Sequence, residues 1–433
     1  MNRDILRLAL PNILTNLTVP LLGMVDMHLM GYQDSASFMG AVALGGVIFN
    51  FVYWGFAFLR MSLSGMAAQA YGRGDKSEMA MLLFRGVFLA LTAGIVLLLI
   101  QKGVIHLSLI ILEGSEEVKL LAANYFYVRI WAAPAAIALM VINGWFLGMQ
   151  NALYPMIISI SINVVNIVSS FIFVKGLGMK VEGVALGSVV SQYVGIILSA
   201  ILFLKKYKYI LSYFRFKEII KRSGLMAFMN VSGDIFLRTL CVIIVFTFFT
   251  SKSAGTGDLI LAANSALLQF LFLFSYFLDG FAYAAEALVG KFTGSKNHLQ
   301  LKKVVKNLFY WGAGFALVFV VVFALGGKFI LLLFTNQDNV IEVAFRYLPW
   351  LIILPLTGFS SYIWDGIYIG VTASRLMRNT MLMAALVFFI LFFSLRSSLG
   401  NHALWIAMNS FMLGRGLFQT FLYKKLPVFK GGK

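Results

Sequence analysis

The chain has 433 residues, of which 61% are hydrophobic and only 12% are charged, and its formal net charge is +18. Soluble domains are about 45–50% apolar and about a quarter charged, so this composition excludes an ordinary soluble domain and is typical of a membrane protein. The single cysteine, Cys241, excludes an intrachain disulfide and a metal site built from several cysteines.

Apolar runs recur along the whole chain, and a membrane-spanning helix needs roughly 20 mostly apolar residues. Their number and spacing predict an all-α integral membrane protein with twelve spans. We expect the first span to be retained, because it lacks the small-residue cleavage site of a signal peptide. The predicted spans are 5–31, 38–64, 80–101, 120–147, 153–175, 183–204, 222–250, 259–289, 303–326, 341–370, 377–395 and 403–423.

The distribution of basic residues predicts the orientation of these spans. With the N-terminus placed in the cytoplasm, 23 of the 35 lysine and arginine residues fall on the cytoplasmic side and seven on the other side. Cytoplasmic loops carry the Lys and Arg excess of membrane proteins, so both termini are predicted to be cytoplasmic. The net charge therefore indicates topology and contact with anionic lipid, and it does not indicate nucleic-acid binding.

A basic amphipathic stretch, KKYKYILSYFRFKEIIKR at 205–222, divides the spans six and six and is predicted to lie at the membrane surface. The predicted organisation is an N-terminal six-helix lobe at 1–204, a cytoplasmic linker at 205–221 and a C-terminal six-helix lobe at 222–433. The halves share weak repeats, such as NGWFLG at 143–148 and DGIYIG at 365–370. Because each half has an even number of spans, we expect a pseudo-two-fold axis along the membrane normal.

Asp26 stands within the apolar stretch PLLGMVDMHLMG, and no Lys or Arg lies within four positions of it. A charge at mid-membrane costs about 2.5–3.5 kcal/mol on insertion scales. Three states remain open: Asp26 is protonated, binds a cation or faces a water-filled cavity. Desolvation disfavours the charged form of a carboxyl group, so a site that alternates between wet and dry can take up and release a proton. The structural alternative is a permanently neutral Asp26 that only fixes packing.

Amides and hydroxyls accompany Asp26 in the first half. They are Asn143 on the fourth span, Asn163, Asn166 and Ser170 on the fifth, and Ser188 on the sixth. Asn166 and Ser170 are four residues apart and share one helix face, which indicates either hydrogen bonding between helices or the lining of a cavity. Pro11 and Pro20 are predicted to bend the first span, an arrangement suited to an ion-driven gate.

The second half has its own charged residues. Asp234 and Arg238 are four residues apart on the seventh span, and an intrahelical ion pair is the simplest interpretation. Asp279 and Asp365 each precede a glycine in an aromatic-rich span. These two carboxylates either bind a cation or pair with Arg238, and the sequence leaves both alternatives open.

Enzyme chemistry finds no support in the sequence. The four histidines are scattered and have no metal-ligand spacing, and there is no Walker A motif for a nucleotide. The sequence therefore predicts a transporter that is not an enzyme, has no metal and no cofactor, and is driven by an ion gradient.

Several motifs resemble the multidrug and toxic compound extrusion (MATE) family. They are PLLGMVDMHLMG on the first span, LGMQNALYP after the fourth, and SYFLDGFAYAAEALVGKFTG and YIWDGIYIGVTASRLMRNTM in the second half. The second-half motifs resemble the DinF-like branch in particular, and the resemblance covers almost the whole chain. It implies an antiporter of the inner (cytoplasmic) membrane that exports organic, often cationic, compounds by alternating access of a V-shaped central cavity.

The resemblance also implies site residues. The predicted ion-coupling residues are Asp26, Asn143, Asn166, Ser170 and Ser188. The predicted substrate-cavity residues are Tyr125, Asp234, Arg238, Asp279 and Asp365. The resemblance assigns helix bending to Pro11, and Pro20 is predicted from the residues alone to bend the same helix.

One departure from the family pattern bears on the coupling ion. Many relatives have an aspartate four residues after the span-five asparagine, and this chain has Ser170 there. A sodium site built from two carboxylates is thereby weakened, whereas a proton cycle on Asp26 is less affected. We therefore expect proton coupling, with Na⁺ as the alternative coupling ion.

The expected partners are small xenobiotic substrates and membrane lipids, with no nucleic acid, and the expected state is a monomer. Two alternatives remain open at this point. One is a lipid-linked oligosaccharide flippase of the same superfamily, and the other is a receptor or structural membrane protein without transport.

Overall fold

The structure, a computed structural model, describes residues 1–31, 35–426 and 429. Regular secondary structure in these residues is entirely helical, as expected for a chain that must satisfy its backbone polar groups inside a bilayer. The α-helices, α1 to α16 in chain order, are Asn2–Gly31, Ala36–Trp54, Ala57–Arg73, Lys76–Leu99, Gln101–Ile111, Glu116–Arg129, Ala133–Gly148, Leu153–Phe171, Val181–Tyr207, Phe216–Ile219, Arg222–Ala254, Asp258–Gly294, His298–Phe334, Asp338–Gly370, Ser374–Leu399 and Asn401–Leu422.

Within the described ranges, eleven helical segments are long and apolar enough to cross a membrane, and they coincide with the first eleven predicted spans. Helix α16 occupies the position of the twelfth. Several helices run past the predicted ends because their flanking charged residues continue the helix. Helix α13, for example, extends from His298 to Phe334 where 303–326 was predicted. Helix α5, Gln101–Ile111, was not predicted.

One compact unit comprises Leu14–Phe228. In it α8 packs along α9, α7 packs against α3 and α4, and α2 packs against α6. The core contains fully buried aromatic side chains, including Trp145, Phe126 and Phe146. Close approach of α7 to α3 requires glycine at Gly148, where an added Cβ would lie 2.7 Å from the Cβ of Ala67.

A second compact unit comprises Met1–Ile13 together with Met229–Lys433, so α1 begins in this unit and continues into the other. Helix α14 packs along α12 and also against α13 and α16, and α15 packs against α16. At Gly366 on α14, an added Cβ would lie 2.8 Å from the Cβ of Ala285 on α12. This close packing holds the charged residues of α14 at fixed positions.

Two helix interruptions position polar residues in the first unit. A short 3₁₀ segment, Ile130–Ala132, separates α6 from α7, and Pro134 follows it at the start of α7. Proline supplies no N–H to the preceding turn, so the chain tightens there and Arg129 becomes the last residue of α6. A π-helical segment, Ile172–Gly176, ends α8 just beyond Ser170.

The segment predicted as a linker is largely helical. Helix α9 continues to Tyr207, a 3₁₀ segment covers Lys208–Tyr213, and α10 covers Phe216–Ile219. The Arg85 side chain of α4 donates a 2.8 Å hydrogen bond to the Glu218 carbonyl, which holds this segment against the first unit. The division into 1–204, 205–221 and 222–433 stays a prediction.

Candidate functional site

Asp26 lies on α1 with 5% of its surface exposed. Its Oδ1 atom is buried, and no described residue donates a hydrogen bond to it. Such an atom is unusual, because buried polar groups in folded proteins are almost always paired. Asp26 therefore has unused capacity for a proton, a cation or a water molecule.

Arg129 lies near Asp26, although it is distant in sequence. Its charge acts on the Asp26 carboxyl group, and its Nη1 donates a hydrogen bond to the hydroxyl of Tyr125, one turn earlier on α6. The guanidinium also lies 4.8 Å from the ring centroid of Phe49 on α2, a cation–π geometry. The charge of Arg129 is thus stabilised by a hydroxyl and an aromatic face, and the Asp26 carboxyl group lies nearby.

Two tyrosines complete this group, which we call the Asp26 cluster: Asp26, Phe49, Tyr53, Tyr125 and Arg129. Tyr125 is fully buried, and Tyr53 packs on Phe49 with ring centroids 5.6 Å apart. The Tyr53 hydroxyl is buried without a hydrogen-bond partner among the described residues. The cluster therefore contains two buried polar atoms, one on Asp26 and one on Tyr53, that have no hydrogen-bond partner among the described residues.

A second polar group joins α8 to α9. The Asn166 side chain donates a 3.0 Å hydrogen bond to the Ser188 hydroxyl, and Ser170 donates a 3.5 Å bond to the Asn166 side-chain oxygen. The helices approach closely because Gly187 faces Ser170, where an added Cβ would lie 2.9 Å from the Ser170 backbone nitrogen. The structure thus brings Asn166, Ser170 and Ser188 together as one hydrogen-bonded chain.

Asn143 on α7 has a buried side-chain oxygen that accepts no hydrogen bond from the described residues. No hydrogen bond between described side chains joins it to the Asn166 chain or to the Asp26 cluster, so it is a separate polar position. Asn163 instead reaches α1, where its side chain donates a 3.4 Å hydrogen bond to the Thr18 carbonyl. Helix α1 is continuous through Pro11 and Pro20 in this structure, and its bending stays a prediction.

In the second unit, Asp365 on α14 binds three donors. Arg238 on α11 forms an ion pair with its Oδ2, and Arg415 on α16 donates a 2.6 Å bond to the same oxygen. Gln419 donates a 2.8 Å bond to the other oxygen, Oδ1. Asp365 is thus a carboxylate whose charge is held by two guanidinium groups from two other helices.

The predicted intrahelical pair of Asp234 with Arg238 is wrong. Asp234 accepts a 2.7 Å bond from Arg378 and a 2.8 Å bond from Ser374, both on α15. The physical reason is helix packing: α14 and α15 bring partners from outside α11, and these offer stronger pairing than a flexible i, i+4 contact. Arg238 consequently pairs with Asp365, which settles one alternative left open by the sequence.

Asp279 on α12 is half-buried and lies near Tyr276 and Tyr362. Tyr362 in turn shares a hydrogen bond with Ser275. Asp279 thus belongs to a tyrosine-rich part of the second unit. In the part of the chain that the structure describes, no three His, Cys, Asp or Glu side chains gather in a group that could hold a metal ion.

Sequence reasoning missed several residues of these clusters, among them Tyr53, Arg129, Arg415 and Gln419. A signal was present for the two arginines, since each is a charged residue within an apolar helix and requires a partner. The Tyr125–Arg129 spacing of four residues also indicates a shared helix face. Nothing in the local sequence of Tyr53 or Gln419 indicates their role.

Comparisons with known proteins agree with this architecture. The chain matches the MatE family over residues 11–172 and 235–395. It is 37% identical to DNA damage-inducible protein F of Escherichia coli, over 96% of this chain and 91% of that protein. It is 23% identical to a probable multidrug resistance protein NorM of Synechocystis, over 73% of this chain and 70% of that protein.

The fold is also that of a solved transporter. A crystal structure of MATE in the bent conformation superposes with a TM-score of 0.86 at 21% identity, covering 99% of this chain and 96% of that one. Solved MATE structures have twelve helices in two lobes, so the predicted fold class is confirmed, as is the resemblance to the DinF-like branch. The chain is a multi-pass membrane transporter, not an enzyme, and it belongs to the MATE family of multidrug and toxic compound efflux transporters.

Proposed function

We propose that this transporter exports organic cations in exchange for protons, and that Asp26 carries the exchanged proton. The observation that supports this most is the unpaired Oδ1 of Asp26, buried on a helix with no donor from the described residues. A neutral carboxyl group is favoured in such surroundings, and an ionised one is favoured when a cationic cargo is near. One residue can therefore exchange a proton for a cargo.

The surroundings of both carboxylates favour a proton over sodium. A hard cation needs several oxygen ligands, and at Asp26 the nearby Arg129 already supplies a positive charge. Asp365 has both of its oxygens engaged by Arg415, Arg238 and Gln419. A sodium ion would have to displace these donors, whereas a proton on Asp26 displaces nothing.

The cargo cavity and the gating motion remain proposals. We assign cavity lining to the predicted residues Tyr125, Asp234, Arg238, Asp279 and Asp365, and the ion-coupling surroundings to Asn143, Asn166, Ser170 and Ser188. Pro11 and Pro20 each remove one backbone donor from α1, which lowers the free energy of bending that helix during alternating access. The charge bias of the loops supports an inner-membrane location with both termini in the cytoplasm.

A flippase for lipid-linked oligosaccharides has less support. Such a cargo carries phosphates, which require basic groups free to bind them. In the second unit Arg238 and Arg415 share Asp365, and Arg378 pairs with Asp234. These pairings favour neutral or cationic cargo.

The test is efflux of a fluorescent organic cation from proteoliposomes with an imposed pH gradient, with and without sodium. We expect wild-type efflux to follow the pH gradient without sodium, and Asp26→Asn to reduce efflux to background. Asp338→Asn is the matched control, because Asp338 is an exposed carboxylate in the first turn of α14. Full gradient-driven efflux by Asp26→Asn would overturn the proposal, and efflux driven only by sodium would reassign the coupling ion.

A further inference from the structure

The groups around the Arg129 guanidinium would also bind the cationic group of a free ligand. The guanidinium is 4.8 Å from the Phe49 ring centroid, donates to the Tyr125 hydroxyl and acts on Asp26 through its charge. An aromatic face, a hydroxyl acceptor and a carboxylate are the groups that bind an organic cation. Both rings are fully buried, so this site is shielded from solvent.

Arg129 does not use all the hydrogen-bonding capacity of the site. The Oδ1 of Asp26 and the hydroxyl of Tyr53 are both buried and have no partner among the described residues. Leaving such buried atoms without a hydrogen bond costs free energy. A cation with differently placed N–H donors would recover that free energy, and this distinguishes the cluster from an ion pair that only stabilises the fold.

The position of Arg129 is set by its helix. Its side chain begins one turn after Tyr125 and bonds to the hydroxyl of that residue, and α6 ends at Arg129. Tyr125 itself has little freedom, because an added Cβ at Gly45 of α2 would lie 2.7 Å from its ring carbon Cε1. The ring is therefore fixed, and the long Arg129 side chain is the adaptable part of the cluster.

We propose that Arg129 is a tethered cation that occupies the binding site of the cargo's cationic head group, so that cationic cargo binds by displacing it. The site is formed by the Phe49 ring, the Tyr125 hydroxyl and the Asp26 carboxylate. It takes a guanidinium, amidinium or small ammonium group carried by an apolar body. This inference deepens the proposed function, since it places the cargo's charge beside the proposed coupling carboxylate.

The arrangement also gives Arg129 a part in cargo release. When Asp26 is ionised, its charge offsets one cation, which is either Arg129 or the cargo. When Asp26 is protonated, the site loses its negative charge, and Arg129 returns to the Phe49 ring and the Tyr125 hydroxyl as the cargo leaves. Arg129 thereby sets which cargo charge the first unit accepts.

The test is equilibrium binding to the purified full-length chain in detergent at fixed pH, measured by calorimetry without any gradient. The probes are phenylguanidinium and phenylurea, which have similar shape but differ in charge. We expect Arg129→Ala to bind phenylguanidinium about tenfold more tightly than wild type, because a desolvated cation–π contact and a freed carboxylate become available. Phenylurea affinity is expected to stay the same.

Conservative variants separate this role from a structural one. Arg129→Lys keeps a tethered charge and is expected to bind phenylguanidinium as weakly as wild type. Adding Phe49→Leu to Arg129→Ala is expected to remove most of the gain. If Arg129→Ala does not fold, Arg129→Gln is used instead, and it is also expected to bind phenylguanidinium more tightly than wild type. Unchanged or weaker phenylguanidinium binding by the charge-removed variant would overturn the inference, whatever efflux assays show for Asp26.

Discussion

Asp26 and Asp365 are both almost fully buried, at 5% and 6% exposure, yet their surroundings differ. Asp365 is bound by two arginines and a glutamine from other helices, whereas Asp26 has an oxygen to which no described residue donates, and one arginine nearby. A carboxylate whose two oxygens both accept hydrogen bonds, two of them from guanidinium groups, is held in its ionised state. A carboxylate with an open position can change its charge state, and we therefore place coupling at Asp26 and a stabilising role at Asp365.

Asp365→Asn is expected to cause the largest loss of stability and so to test this comparison most strongly. Removing the charge leaves Arg238 and Arg415 buried without their counterion, which costs about 3–5 kcal/mol of stability. The measurement is thermal or denaturant unfolding of the purified protein in detergent. Asp26→Asn is the matched control and is expected to change stability by less than about 1 kcal/mol, since no described residue donates a hydrogen bond to its Oδ1. Equal losses for the two variants would contradict the comparison.

A smaller effect is expected from Asn166→Ala in the first unit. The buried Asn166 side chain bonds to both Ser188 and Ser170, and its removal leaves two hydroxyls short of a partner. The loss of stability should be about 1–3 kcal/mol, measured by the same unfolding assay. Asn163→Ala, which removes one 3.4 Å bond to the Thr18 carbonyl, is the control and should lose less. The reverse order would show that the Asn166 chain is not a structural element.

The smallest effect is expected from Asp234→Asn. Its partner Arg378 is 29% exposed at the side chain, so water screens the pair, and Ser374 can still donate to the new amide. The expected loss of stability is about 1 kcal/mol. If Asp234→Asn lost as much stability as Asp365→Asn, solvent exposure would not explain a difference in strength between the two ion pairs.

The sequence predicts the helices well because their signal is local. A run of about 20 apolar residues can be recognised without knowing its neighbours, and eleven predicted spans have counterparts among the described helices. Helix α16 lies at the predicted twelfth span, although the buried side chains of Asn409, Arg415 and Gln419 interrupt its apolar pattern. Those residues are polar because they face partners on other helices.

Pairing of charges depends on packing, and the sequence predicts it poorly. The spacing of Asp234 and Arg238 favours a pair on one helix, but partners from α14 and α15 prevail. The importance of Asp26 follows from its isolation in an apolar stretch, which is a local property. Its neighbour Arg129 comes from another helix about one hundred positions later, and only the tertiary structure brings the two together.

The central claim is that Asp26 carries the proton exchanged for cargo. The most direct measurement is the release of protons when a fluorescent organic cation is added to the purified protein in weakly buffered detergent, followed with a pH indicator. We predict about one proton released per cation bound by wild type and by Asp338→Asn, and none by Asp26→Asn. Undiminished proton release by a folded Asp26→Asn variant would contradict the account.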